Sequence, residues 1–216
     1  MAAPVSQAKH AASPRWQRRK EARPGEIVAA ALELFVERGF AATKLADVAR
    51  RAGVTKGTVY LYFDSKEALF KAVVRETIVP VIAQGEALAQ SFAGSARELL
   101  EQLVREYWRL IGETKLAGIP KLMMAEAATF PELTRFYYDE VVTRGHRLMA
   151  GVIERGIKSG EFRSVDVMVA AKLAMSPLMH ATVARMAFGS CMPEGFNVAK
   201  YLDTHIELYL HGIAKH

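Results

Sequence analysis

The chain has 216 residues, 51% of them hydrophobic and 24% charged, which excludes global disorder and supports a sizeable core. Its net charge is +6, and the surplus is local: residues 1–63 carry 11 Lys/Arg against 5 Asp/Glu, whereas residues 64–216 carry 18 of each. A basic first third on a neutral body is the footprint of a module that meets a polyanion, although a solvated basic tail has the same composition.

Residues 1–20 read as a basic arm without core periodicity, helical at most near its end, with Arg15, Arg18, Arg19 and Lys20 as its cation run. From Pro24 to Arg38 the pattern turns helical, since Pro24 suits a first turn and Ile27, Ala31, Leu34 and Phe35 share one face. Gly39 stops that helix. Thr43 is expected to cap a second helix with Asp47 in its first turn and Leu45, Val48 and Ala49 buried; Gly53 ends it. Thr55 is expected to cap a third helix of about two turns, and Asp64 or Ser65 a fourth, with Glu67 completing a capping box from Asp64. Two short helices joined by a tight glycine turn form a helix-turn-helix over 44–63.

On the third helix, Val59 and Phe63 define an inward face, which leaves Gly57, Thr58, Tyr60 and Leu61 outward and Tyr62 at an edge. Exposed Tyr and Leu cost solvation unless something covers them, and a mid-helix glycine suits close approach of another surface. Duplex DNA meets each condition. Thr58 can bond a base or phosphate, Leu61 can meet a thymine methyl, Tyr60 and Tyr62 can donate to phosphates, and Lys56 and Lys66 can neutralise them. Packing of these aromatics against the rest of the chain is the alternative.

The stretch "IVAAALELFVERGFAATKLADVARRAGVTKGTVYLYFDSKEALF" resembles the DNA-binding domain of the TetR family of transcriptional regulators, with spaced matches over residues 24–70. The resemblance implies a homodimer on a palindromic operator, a repressor released by a small ligand, with DNA contacts at Thr43 or Lys44, Thr55, Lys56, Gly57, Thr58, Tyr60, Leu61, Tyr62 and Lys66. Leu61 stands where many members carry an aromatic residue, so contact there is expected to be apolar. The arm is not covered by the resemblance. It either reaches DNA outside the half-site or is a passive tail.

Beyond residue 81 the pattern stays helical, with expected spans 65–92, 95–112, 119–128, 131–159, 165–188 and 195–213, and kinks at Pro80 and Pro177. The fold class is therefore all-α: an N-terminal helix-turn-helix domain over 21–81 and a larger helical ligand-binding and dimerisation domain over 82–216. "GVIERGIKSGEFR" resembles the end of the family's long central helix. Met- and aromatic-rich segments nominate Trp108, Met123, Met124, Phe130, Phe136, Tyr137, Met175 and Met179 as the lining of a pocket for a small apolar or aromatic effector, with ordinary core as the competing reading.

The last two helices are expected to form the homodimer interface. Val169, Leu173, Ser176, His180, Val183 and Ala187 make one stripe, and Tyr201, Leu202, Ile206, Leu208, Tyr209 and Leu210 make the final helix apolar on more than one side. Packing of that helix onto its own domain is the alternative. Cys191 cannot form an intramolecular disulfide, which fits a reducing compartment, and reads as a small hydrophobe near a helix end. The chain has neither a run of apolar residues approaching the ~20 of a membrane helix nor a signal-peptide-like block, so a cytoplasmic protein with no membrane partner is expected. No nucleophile elbow, P-loop, dinucleotide fingerprint or metal-spaced histidine pair occurs in the sequence, so no catalysis, metal or cofactor is expected. A DNA-anchored adaptor whose body binds a protein is the alternative to a ligand-responsive regulator.

Overall fold

A computed structural model describes residues 15–191 and 197–215, with the side chains of residues 15–22 and 190 outside the description. Among these residues the secondary structure is helical throughout, with no β-strand. Helix α1 (Arg15–Ala42) starts earlier than Pro24, so the proline lies inside it; residues 1–14 and the side chains of Arg15, Arg18, Arg19 and Lys20 lie outside the described residues. Gly39 breaks α1 with φ 85° and ψ 167°, a conformation costly for any residue with a Cβ.

The break lets Phe40 turn inward. Phe35, Phe40 and Phe70 meet with ring centroids 5.5 to 5.7 Å apart, and Ile27, Ala31 and Leu34 are as buried as their spacing requires. Helix α2 (Leu45–Arg51) buries Leu45, Val48 and Ala49. Its end is a Schellman closure: Gly53 is left-handed (φ 66°), Val54 N donates to Ala49 O at 2.9 Å, and Gly53 N donates to Arg50 O at 3.3 Å. Helix α3 (Lys56–Tyr62) follows, capped by Thr55, whose Oγ1 accepts from Thr58 N at 3.2 Å. Helix α4 (Lys66–Thr77) is capped by Ser65, which accepts from Ala68 N. The expected box from Asp64 does not form, because Ser65 rather than Asp64 holds the cap position.

The body begins with α5 (Val79–Ser91), and Pro80 sits in its first turn, so the span expected as one kinked helix is two. Helix α6 (Ala96–Tyr107) runs into a π-helical turn (Trp108–Gly112); α7 (Gly118–Glu126) and α8 (Pro131–Tyr137) follow. A second π turn (Tyr138–Val142) joins α8 to α9 (Thr143–Ser159). Helix α10 (Val167–Phe188) carries Pro177 without ending there, and α11 (Val198–Ile213) closes the fold.

Helix α10 is long and apolar enough to cross a membrane by length and composition, although Lys172 and Arg185 interrupt its apolar run. In the fold, Ala170, Ala171, Ala174, Leu178 and Ala181 bury one side of it against the body, as in a core helix. Cys191 is exposed rather than packed at the helix end.

Two cores form. One joins α1 to α4 with Ile111, Ile119, Leu122, Leu133 and Tyr137; the other joins α6, α9, α10 and α11. The first core therefore crosses the expected boundary at 81/82 and ties the helix-turn-helix unit to α7 and α8. Gly118 lies so close to Val36 that a Cβ there would come within 2.5 Å of its methyl groups. Ala41 N donates to Glu126 Oε1 at 3.2 Å, and Phe130 meets Phe40 edge to face at 4.8 Å. Arg75 pairs with Glu140 at 2.7 Å.

Candidate nucleic-acid interface and ligand cavity

On α3, Val59 is fully buried and Phe63 half-buried, as expected. Leu61 is 72% exposed and Tyr60 46% exposed, an apolar pair on a surface helix. Gly57 faces open space except for Thr55 Oγ1 at 3.8 Å, so another surface can approach the backbone there. The Lys56 ammonium sits 5.6 Å from the Tyr60 ring centroid. Lys44 and Lys56 are exposed and belong to no ion pair among the described residues, whereas Arg51 is held by Glu33 and Glu37 at 3.0 Å each. Hydrogen bonds from Lys115 and Arg51 hold the Glu33 carboxyl below the usual range, and the bond from Arg51 does the same for Glu37. Part of the basic surplus is thus spent inside the unit.

Three of the expected DNA contacts also serve the fold. Thr43 is 1% exposed, and its hydroxyl donates to Gly39 O at 2.7 Å and Leu34 O at 3.2 Å. It ties the broken end of α1 and does not cap α2, whose cap position is Lys44, without a side-chain bond. Of the pair Thr43 or Lys44, only Lys44 faces outward. Tyr62 is half-buried against the first core.

Lys66 Nζ donates to Phe40 O at 2.7 Å and Ala41 O at 3.0 Å and lies 4.4 Å from the Phe40 ring centroid. Partial burial lowers its pKa. Lys66 therefore satisfies the carbonyls left open at the end of α1, with one ammonium proton remaining for a phosphate. Lys66→Met is expected to lower the unfolding free energy by about 1–3 kcal/mol, read from urea unfolding. An unchanged midpoint would mean that the two carbonyls find other donors. Thr55 and Thr58 share their hydroxyls at 2.9 Å, so any DNA bond they make competes with the cap.

A cavity of about 860 Å3 lies in the body, walled by the end of α4, α5, α6, α7, α8, α9, α10 and both π turns. Met123, Met124, Tyr137, Met175 and Met179 line it, as expected. Trp108, Phe130 and Phe136 do not. Trp108 is buried in the second core with its Nε1 donating to Glu113 at 3.0 Å, Phe130 packs on Phe40, and Phe136 lies under Lys71 and Arg75. Ile78, Leu103, Ile111, Pro120 and Met149 complete the buried wall, together with the half-buried Tyr107. Sequence reasoning missed these six because helical periodicity marks a residue as inward without saying whether a neighbour or a void lies opposite. The pairing of each π turn with cavity residues is the one local signal. Leu110 and Ile111 come from the first turn, Tyr138, Val141 and Val142 from the second.

The profile of bacterial regulatory proteins of the tetR family matches residues 27–73, and that of the C-terminal domain of AefR-like transcriptional repressors matches residues 98–211. The chain belongs to the TetR family of transcriptional regulators. It is 33% identical to the HTH-type transcriptional repressor KstR2 of Rhodococcus jostii RHA1 over 153 residues, 70% of this chain and 74% of that protein. A TetR-family regulator structure from Mesorhizobium loti MAFF303099 superposes with a TM-score of 0.74 at 26% identity, covering 91% of this chain and 99% of that one. The fold is also that of FadR from Bacillus subtilis in complex with stearoyl-CoA, with a TM-score of 0.76 at 23% identity, covering 88% and 98%. TetR-family proteins are DNA-binding regulators and not enzymes, and among the described residues no group of three or more His, Cys, Asp or Glu could hold a metal.

Proposed function

We propose that this TetR-family regulator is a cytoplasmic repressor that binds a palindromic operator as a homodimer and leaves it when a small apolar compound fills the body. The cavity carries this reading. It is walled mainly by apolar side chains, and it touches both elements that hold the DNA-binding unit. Ile78 lines it at the end of α4 and Val81 in the first turn of α5, and Pro120, Met123 and Met124 line it on α7, whose other side meets α1 through Gly118 and Glu126. A ligand that favours one α7 position therefore biases where α1 and α4 carry α3. Stearoyl-CoA, the compound held by FadR, has a long apolar chain of the kind such a wall accommodates. An apolar cavity in the body also favours a ligand over the adaptor alternative, which a filled core would have favoured.

Selection from a random duplex library tests the DNA half of this reading, with an inverted repeat as the expected consensus. For the release half, a compound that displaces a fluorescent probe from the cavity is expected to weaken operator binding. Displacement with unchanged operator affinity would favour the adaptor.

A further inference from the structure

Seven of the residues lining the cavity are buried: Ile78, Leu103, Ile111, Pro120, Met123, Met149 and Tyr137. Only Tyr137 among them carries a side-chain hydroxyl. Tyr137 is 7% exposed, and its hydroxyl has no hydrogen-bond partner among the described residues. Its neighbour Tyr107 is engaged: the Tyr107 hydroxyl lies 3.3 Å from Thr182 Oγ1, which itself donates to Leu178 O at 2.8 Å. The hydroxyl is not sealed in the core but opens onto the cavity, where a water or a ligand atom can accept its proton.

The charge of the wall is as informative as its one donor. Among the described residues, no Lys or Arg lines the cavity. Its one acidic residue, Glu106, is paired with Arg109 at 2.6 Å. His146 is kept toward its neutral form by desolvation and by the nearby Lys172. His180 and Ser176 are exposed and stand at the rim. An ionised carboxylate drawn among these buried side chains would lose its water and gain no counter-charge. A neutral carbonyl would lose far less and would accept the Tyr137 proton.

We infer that Tyr137 is the polar anchor of the effector site, donating its phenolic proton to the carbonyl oxygen of an uncharged apolar ligand, a ketone, ester or thioester, while a free carboxylate is rejected from the buried part. This rests on the ligand-binding reading above and sharpens it. Any charged portion of the effector stays outside, beyond the exposed rim of Met124, Tyr138, Ser176 and His180.

The test uses the full chain and the neutral fluorophore N-phenyl-1-naphthylamine as cavity probe, displaced by 2-dodecanone, dodecane or dodecanoate at about pH 8, where a carboxylic acid is ionised. In the wild type the ketone is expected to displace the probe at least about tenfold more effectively than the carboxylate. Tyr137→Phe is expected to weaken the ketone about fivefold to tenfold and leave dodecane unchanged, the effect of one lost neutral hydrogen bond. Because the hydroxyl has no protein partner to lose, the unfolding midpoint of Tyr137→Phe is expected to stay level or rise. A lower midpoint would assign the hydroxyl to the fold and overturn the proposal. Equal ketone affinity in the two proteins, or a carboxylate that competes as well as the ketone, would overturn it while leaving the ligand-responsive reading standing. Failure of the probe and all three competitors to bind would remove both.

Discussion

Replacing Val169 and Leu173 together by glutamate is expected to split the proposed homodimer into folded monomers. On α10 these side chains are 52% and 59% exposed, with Met168 and Phe188 also outward at 40% and 61%. They continue along the helix through Ser176, His180 and Ala187, which are exposed, and Val183, which is half-buried. An apolar stripe this long on a surface helix is what a two-fold interface covers with its own copy. Each buried Val or Leu contributes about 1.5–3 kcal/mol, and the two-fold doubles the count, so the substitutions are expected to weaken association by at least about 6 kcal/mol. That is roughly four orders of magnitude in the dimer constant. Sedimentation at micromolar protein reads the mass, and circular dichroism confirms that the helices persist.

Helix α11 is expected to contribute less to that interface than its composition suggests. Leu202, Ile206 and Leu210 face its own core, and Tyr201, His205 and Tyr209 reach the carbonyls of Pro177, Ala174 and Ala170 on α10. Only Leu208 among its six nominated residues stands outward, at 70% exposed. Two of the α10 stripe residues, Ser176 and His180, stand at the cavity rim, so a partner seated there would sense what the cavity holds. If the double variant stays dimeric, α10 is not the interface.

The second large effect is expected at α3. Combining Lys56→Ala, Tyr60→Ala and Leu61→Ala removes an unpaired cation and the two most exposed apolar side chains of the unit, none of which supports its core. The unfolding midpoint is therefore expected to stay near the wild type. Losing about 2 kcal/mol of binding energy in each of two half-sites lowers operator affinity by roughly a thousandfold at fixed salt. The salt slope also falls, by about one for each phosphate that is no longer neutralised. An affinity within about threefold of wild type, equivalent to less than 1 kcal/mol, would rule out docking through this face. Lys66 is left unchanged in this variant because its bonds to Phe40 and Ala41 would mix a stability loss into the affinity.

What could be read from residues alone was whatever depends on local order along one helix. The inward face of α1, the Thr55 cap, the Gly53 turn and the outward Tyr60 and Leu61 each follow from spacing of 3.6 residues or from a backbone that only glycine takes cheaply. Composition also placed the surplus charge, but not its use. Arg51 is consumed by Glu33 and Glu37 from another helix, while Lys44 and Lys56 remain available. Thr43 and Lys66 show the same limit. Each looks like a polar surface residue in sequence, and each serves carbonyls freed where α1 breaks. A hydrogen bond between Lys66 and Phe40, 26 positions apart, leaves no periodic trace.

The cavity depended most on tertiary structure. Met123, Tyr137 and Trp108 are similarly buried and equally at home in a helical stripe, yet two of them face a void and the third a filled core. Period and composition determine which side of a helix leaves water. Whether another side chain or empty space meets it there is set by the packing of α5 to α10 around one another, because burial is a property of the helix face and vacancy a property of the assembly of faces.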